Sequence, residues 1–169
     1  MAVWHARRWI RPTIHRGRAI GEATDAARQL AERGIEYTFN HLGESVTSYE
    51  TARVAADTYL RVIEELAAAR LSGQISVKLT QLGLAVEMTA CEENLRRVLD
   101  AAGERYFVRI DMEQSSWVED TLVLFERVWR DGYRNVGVVL QLISLSHHRR
   151  PRPGEHARGT DTTVKRCLQ

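Results

Sequence analysis

Long apolar runs are missing from this 169-residue sequence, and none approaches the length of a membrane span. A spanning helix is therefore not expected. The opening stretch, MAVWHARRWIRP, is basic but has no apolar core of the kind a secretory signal carries. Cysteine is scarce too. Cys91 and Cys167 stand far apart and match no metal-ligand spacing, which argues against a disulfide framework or a thiolate metal centre. A reducing, bacterial-type cytosolic compartment is the expectation, with at most peripheral contact at the inner membrane. Charge of one sign is also lacking: the net is +2, which argues neither for nor against nucleic acid. No G-x-G-x-x-G follows the first strand-like run and no P-loop occurs, which weakens a dinucleotide-type open sheet.

What is present is an alternation. The first twenty residues show no persistent period. Ala23, Ala26, Ala27, Leu30 and Ala31 then fall on one helical face, and Gly34 stops it. Residues 37–42 are rich in β-formers and aromatics and read as a first strand. Thr47 and Glu50 have capping-box spacing, and the helix they open carries Ala52, Ala55, Tyr59, Val62, Ile63 and Leu66 on one side, with Ser72-Gly73 as its end. Residues 75–84, ISVKLTQLGL, follow as a second strand. Thr89 and Glu92 suggest another box, ahead of a helix lined by Leu95, Val98, Leu99 and Ala102 and stopped by Gly103. A third strand, 106–110, runs into Asp111-Met112-Glu113. Ser116 and Glu119 suggest a third box, with Leu122, Phe125, Val128 and Trp129 along the helix and Gly132 closing it. Residues 135–140, NVGVVL, make a fourth strand ending at Gln141.

Four repeats of strand and helix, each roughly thirty to forty residues long, imply a parallel sheet, doubly wound or closed into a barrel. The second strand carries an anomaly. Ile75, Val77 and Leu79 point one way and Ser76, Lys78 and Thr80 the other. Flanking helices imply a strand covered on both faces, and an ammonium placed there needs either a structural partner or a function. Polar residues recur at the C-terminal end of every strand: Glu44, then Lys78 and Gln81, then Asp111 and Glu113, then Gln141. That rim is where (βα)₈ barrels hold their chemistry. Arg109, Asp111 and Glu113 share one side of the third strand. Each residue has a plainer reading: Lys78 paired with Asp111 inside the barrel, Met112 packed against outer helices, Gln141 capping a strand, and Glu44 and Glu113 as rim structure. His41 alternates with Phe39 and is expected to pack outward.

At HLGESV, ISVKLTQLGL, VRIDMEQS and NVGVVLQ, in order across residues 21–141, the sequence resembles the FAD-dependent proline dehydrogenases of bacteria. The resemblance implies the first four βα units of a (βα)₈ TIM-type barrel, preceded by an extra helix, with FAD over the strand C-termini. It implies oxidation of L-proline to Δ1-pyrroline-5-carboxylate, the first step of proline catabolism, with electrons passed to a quinone. By motif, Lys78 corresponds to the lysine beside substrate and flavin, and Asp111 to the active-site aspartate. Met112 and Gln141 correspond to flavin-contacting positions. A different barrel chemistry would use Lys78 as a Schiff-base nucleophile. A third reading is a remnant without catalysis.

The sequence departs from the family after VVLQ. Residues 142–169 carry a His-Arg cluster and no amphipathic period. Lacking aromatic interleaving, they are expected to be disordered and to bind no nucleic acid. Codons for this tail can be chosen so that a shift of one nucleotide restores a family-like sequence, and the same holds for Arg11–Ala19, so a frameshift is an expectation at both edges. Four units of eight leave two sheet edges and half of an apolar interior unpartnered, which predicts self-association through the open edges.

Overall fold

A computed structural model describes residues 20–43 and 45–140. Its elements run α1 (Ile20–Glu32), β1 (Thr38–Asn40), α2 (Tyr49–Ala68), β2 (Gln74–Val77), α3 (Met88–Ala102), β3 (Phe107–Ile110), a 3₁₀ turn (Ser115–Trp117), α4 (Val118–Arg130) and β4 (Val136–Val138). The strands form one parallel sheet in the order β1-β2-β3-β4. This is the strand order expected of four consecutive βα units, in which each helix returns the chain to the next parallel position. Glu44, Gln141 and the segments 1–19 and 142–169 lie outside the described residues, so the expectations placed on them are not addressed by the fold.

The core lies between the sheet and its helices. Phe39, Ile75, Val108 and Val136 stand side by side in register, followed by Val77, Ile110 and Val138. Ile75, Val77, Val108 and Ile110 are fully buried and belong to one apolar cluster with Tyr59, Ile63, Leu66, Leu95, Leu99 and Leu124. Burying such a side chain stabilises the fold by about 1.5–3 kcal/mol. The α2 face matches its sequence pattern closely, with Ala52, Ala55, Tyr59, Ile63 and Leu66 all buried.

Several local expectations are corrected. Thr47 does not cap α2. Ser48 does, its Oγ accepting from the Thr51 N–H at 3.2 Å. α2 ends at Ala68 rather than at Ser72-Gly73, because Arg70 takes a left-handed conformation (φ 55°) and the Leu71 N–H returns to the Leu66 carbonyl. Neither Thr89 nor Ser116 makes a cap; Glu92 is instead drawn into bonds with Arg96 and Arg127. On α4 the buried line is Thr121, Leu124 and Val128, and Trp129 is 42% exposed with Arg134 stacked on its ring.

The second strand is shorter than its pattern. β2 stops at Val77, and residues 79–86 form consecutive turns. Lys78 therefore stands one residue past the strand rather than inside it. The sheet is also not covered on both sides. Thr38, Asn40 and Gln74 are exposed and Phe107 is 42% exposed, on the face away from the helices. This face is mostly polar, so the expected apolar interior patch is absent among the described residues. Its apolar member Phe107 lies across Gly137, where an added Cβ would come within 2.7 Å of the ring.

Candidate active site at the C-terminal edge of the sheet

The register carries the site. Val77 pairs with Ile110, so Lys78 and Asp111 each follow the last residue of neighbouring strands at the same end of the sheet. The Asp111 N–H donates to the Val77 carbonyl at 2.9 Å and the Val139 N–H to the Ile110 carbonyl at 2.9 Å, extending the ladder one step past β3.

On the uncovered face Asn40, Ser76, Arg109 and Gly137 form one row. Above it, Asp111 is held by two neighbours. Ser76 Oγ donates to its Oδ2 at 2.5 Å and Arg109 Nε to its Oδ1 at 3.2 Å. Charge-assisted bonds of this kind are stronger than neutral ones and fix the carboxylate plane.

A cleft of about 270 Å³ opens beside this row, lined by Ser45, Lys78, Thr80, Met112, Glu113, Gln114 and Trp117. Lys78 and Met112 thus meet on one cleft. Met112 is 6% exposed and lines that cleft. Asp111 is not among the lining residues; it sits next in register, bonded to Ser76 and Arg109. Gln141 lies outside the described residues.

A buried polar cluster supports the floor. Gln81, read from sequence as a rim residue, is 1% exposed and turned toward α2. Its Oε1 accepts from Tyr59 OH at 3.0 Å and its amide nitrogen bonds His41 Nδ1 at 2.7 Å. Tyr59 OH also reaches the Ser76 carbonyl at 3.1 Å. His41 packs edge-on against Tyr59, the outward packing its alternation with Phe39 implies. Burial, and then the Arg61 charge, hold the His41 imidazolium below its ordinary range. Burial pushes the Tyr59 phenol well above its ordinary range, and the Cys91 thiol likewise. Gly43 fits tightly here, since a Cβ would come within 2.7 Å of the Gln81 amide nitrogen. Sequence reading missed Ser76 and Thr80 as members of the site, and placed Gln81 at the rim without its turn toward α2. Their signal was parity with Lys78 for the first two; a glutamine after a strand gives no hint of which way it turns.

Parallel βα units whose polar side chains gather beyond the strand ends define a barrel-type α/β fold. The fold agrees with that of proline utilization A from Bdellovibrio bacteriovorus inactivated by N-propargylglycine, at a TM-score of 0.65 and 22% identity over 73% of this chain and 16% of that one. A family model described as proline dehydrogenase matches residues 23–148, and the chain belongs to that family. It is 34% identical over 126 residues to proline dehydrogenase 2 of Bacillus subtilis (strain 168), covering 74% of this chain and 41% of the relative. It is 32% identical over 130 residues to proline dehydrogenase of Deinococcus radiodurans, covering 74% and 42%. The chain spans about two fifths of the length of these curated relatives.

Proposed function

We propose that this chain supplies one wall of a proline dehydrogenase active site, with FAD lying over the strand C-termini and L-proline between the flavin and the Lys78–Asp111 edge. Family membership, together with Lys78 and Asp111 following register-paired strand ends, supports this reading.

The lining chemistry fits a flavin. Lys78 offers an ammonium donor, and Met112 and Trp117 offer apolar surface for a planar ring. The cleft volume of about 270 Å³ sits below the roughly 300–1,000 Å³ of small-molecule sites, so it takes part of the cofactor rather than enclosing it. When bound, FAD supplies the acceptor for the two electrons that leave proline. Lys78 would hold the substrate or the flavin edge by hydrogen bonding. Asp111, oriented by Ser76 and Arg109, would present a fixed carboxylate to the developing positive charge at the proline nitrogen. Met112 would pack against the ring. The finer expectations belong to the same proposal: Gln141 as a flavin contact, a quinone as electron acceptor at a membrane surface, and self-association through the edges of β1 and β4. No helix among the described residues is long and apolar enough to cross a membrane.

Titrating FAD into the purified chain, followed by flavin fluorescence anisotropy, tests the reading. A weak but saturable rise that Lys78→Ala diminishes is expected. No rise at any flavin concentration would contradict it.

A further inference from the structure

Glu113 makes a set of contacts that the proposed chemistry does not use. Its carboxylate accepts from Thr80 twice, from the backbone N–H at 2.9 Å and from Oγ1 at 2.6 Å. Thr80 is 1% exposed and has no polar atom to spare. Its Oγ1 also accepts from the Ser45 N–H at 3.1 Å, and its carbonyl accepts from the Val46 N–H at 3.3 Å. One threonine therefore ties together the loops that follow β1, β2 and β3. The tie holds Ser45 at φ 51°, a left-handed conformation that costs a non-glycine residue about 1–2 kcal/mol and persists only where its surroundings impose it.

We propose that Glu113 is a positioning residue for Lys78. Lys78 stands two residues before Thr80, and Met112 immediately precedes Glu113. The Glu113–Thr80 pair thus fixes the spacing between the two sides of the cleft on which Lys78 and Met112 meet. The value of that spacing for flavin or proline rests on the function proposed above; the positioning itself does not.

The chain allows a direct readout, because Lys78 is one of only two lysines, the other being Lys165. An amine-selective ester is applied to the purified 169-residue chain, and labelling of Lys78 is read by mass spectrometry against Lys165. Lys78 is half-buried in the intact chain. Glu113→Gln weakens a charge-assisted pair, and Lys78 labelling should rise roughly tenfold, the change that about 1.4 kcal/mol of lost local stability produces. Thr80→Ser keeps both donors and should label like the parent. Glu92→Gln, which removes the charge and one of the two acceptor oxygens that bond Arg96 and Arg127 on the helix layer, should leave Lys78 unchanged. Unchanged Lys78 labelling in a folded Glu113→Gln chain overturns the proposal. If Glu113→Gln does not fold, Thr80→Val, which removes one of the two bonds, is read in its place. Exchange of the Thr80 amide hydrogen in the parent chain is measured beside it; exchange as fast as an exposed loop overturns the proposal, and protection supports it. Adding FAD separates the two ideas. FAD that fails to slow Lys78 labelling in the parent counts against the flavin reading alone.

Discussion

Ser76 and Asp111 sit on neighbouring strands and join across the uncovered face of the sheet, Oγ to Oδ2 at 2.5 Å. The serine is 1% exposed, while the Asp111 side chain keeps 23% exposure. A carboxylate thus reaches solvent at the strand end while its orientation is set from beneath. Ser76→Ala leaves Asp111 with the Arg109 bond but without the serine donor, and unfolding by urea should show a loss of roughly 1–3 kcal/mol. A loss below a few tenths would mean that the bond adds nothing to the fold.

Tyr59 ties α2 to the sheet through one hydroxyl shared between the Ser76 carbonyl and Gln81. Tyr59→Phe keeps the ring and leaves two buried acceptors short of a donor, so a loss of about 1–3 kcal/mol is expected by denaturant titration. The Gln81 side chain should also lose its single orientation, visible as broadened amide resonances.

The repeating helix and strand periods were legible because amphipathic spacing is local: the buried line of α2 and the stop at Gly103 follow directly from residue order. The helix caps were not. Ser48 rather than Thr47 caps α2, and two neighbouring hydroxyl residues give no local sign of which one turns toward the helix. On α4 the buried line includes the polar Thr121, which an apolar pattern passes over, and Phe125 packs only at the margin of the core. Lys78 and Asp111 were legible as strand-end polar residues, whereas their settings were not. The bond from Ser76 to Asp111 depends on cross-strand register, which no local pattern encodes. Alternation already puts Ser76 and Lys78, and Arg109 and Asp111, on one face; the expectation of an apolar interior came from the half-barrel argument and not from these residues.

Arg70 occupies a left-handed position just past α2. Glycine adopts that conformation without a Cβ penalty, so Arg70→Gly should raise stability by about 0.5–1 kcal/mol, seen as a higher melting temperature. A lower melting temperature would show that the arginine side chain contributes more than the strain costs.

Acid should destabilise the chain in a defined window. His41 Nδ1 bonds the Gln81 amide, and its folded-state pKa is lowered by burial. A lowered value means that the unfolded chain binds the proton first. The stability contributed by neutral His41 is therefore complete above about pH 6.5 and is lost as pH falls from there toward the folded value. Melting temperature against pH should decline through this range, and His41→Asn should flatten the decline. A slope unchanged by that substitution would assign the effect elsewhere.

The roles proposed for Lys78 and Asp111, toward a flavin and proline at one strand-end mouth, are tested in a completed barrel. Replacing the matched residues of Bacillus subtilis proline dehydrogenase 2 with residues 23–148 of this chain supplies the remaining barrel from the relative. The chimera should be yellow, and its flavin absorbance should bleach when L-proline is added without oxygen. At saturating FAD, which offsets the weaker flavin binding of Lys78→Ala, the Asp111→Ala and Lys78→Ala chimeras should bleach at least roughly a hundredfold more slowly, as expected when about 2.7 kcal/mol of transition-state stabilisation is removed. A flavin-loaded chimera in which both substitutions leave the bleaching rate unchanged would contradict those roles.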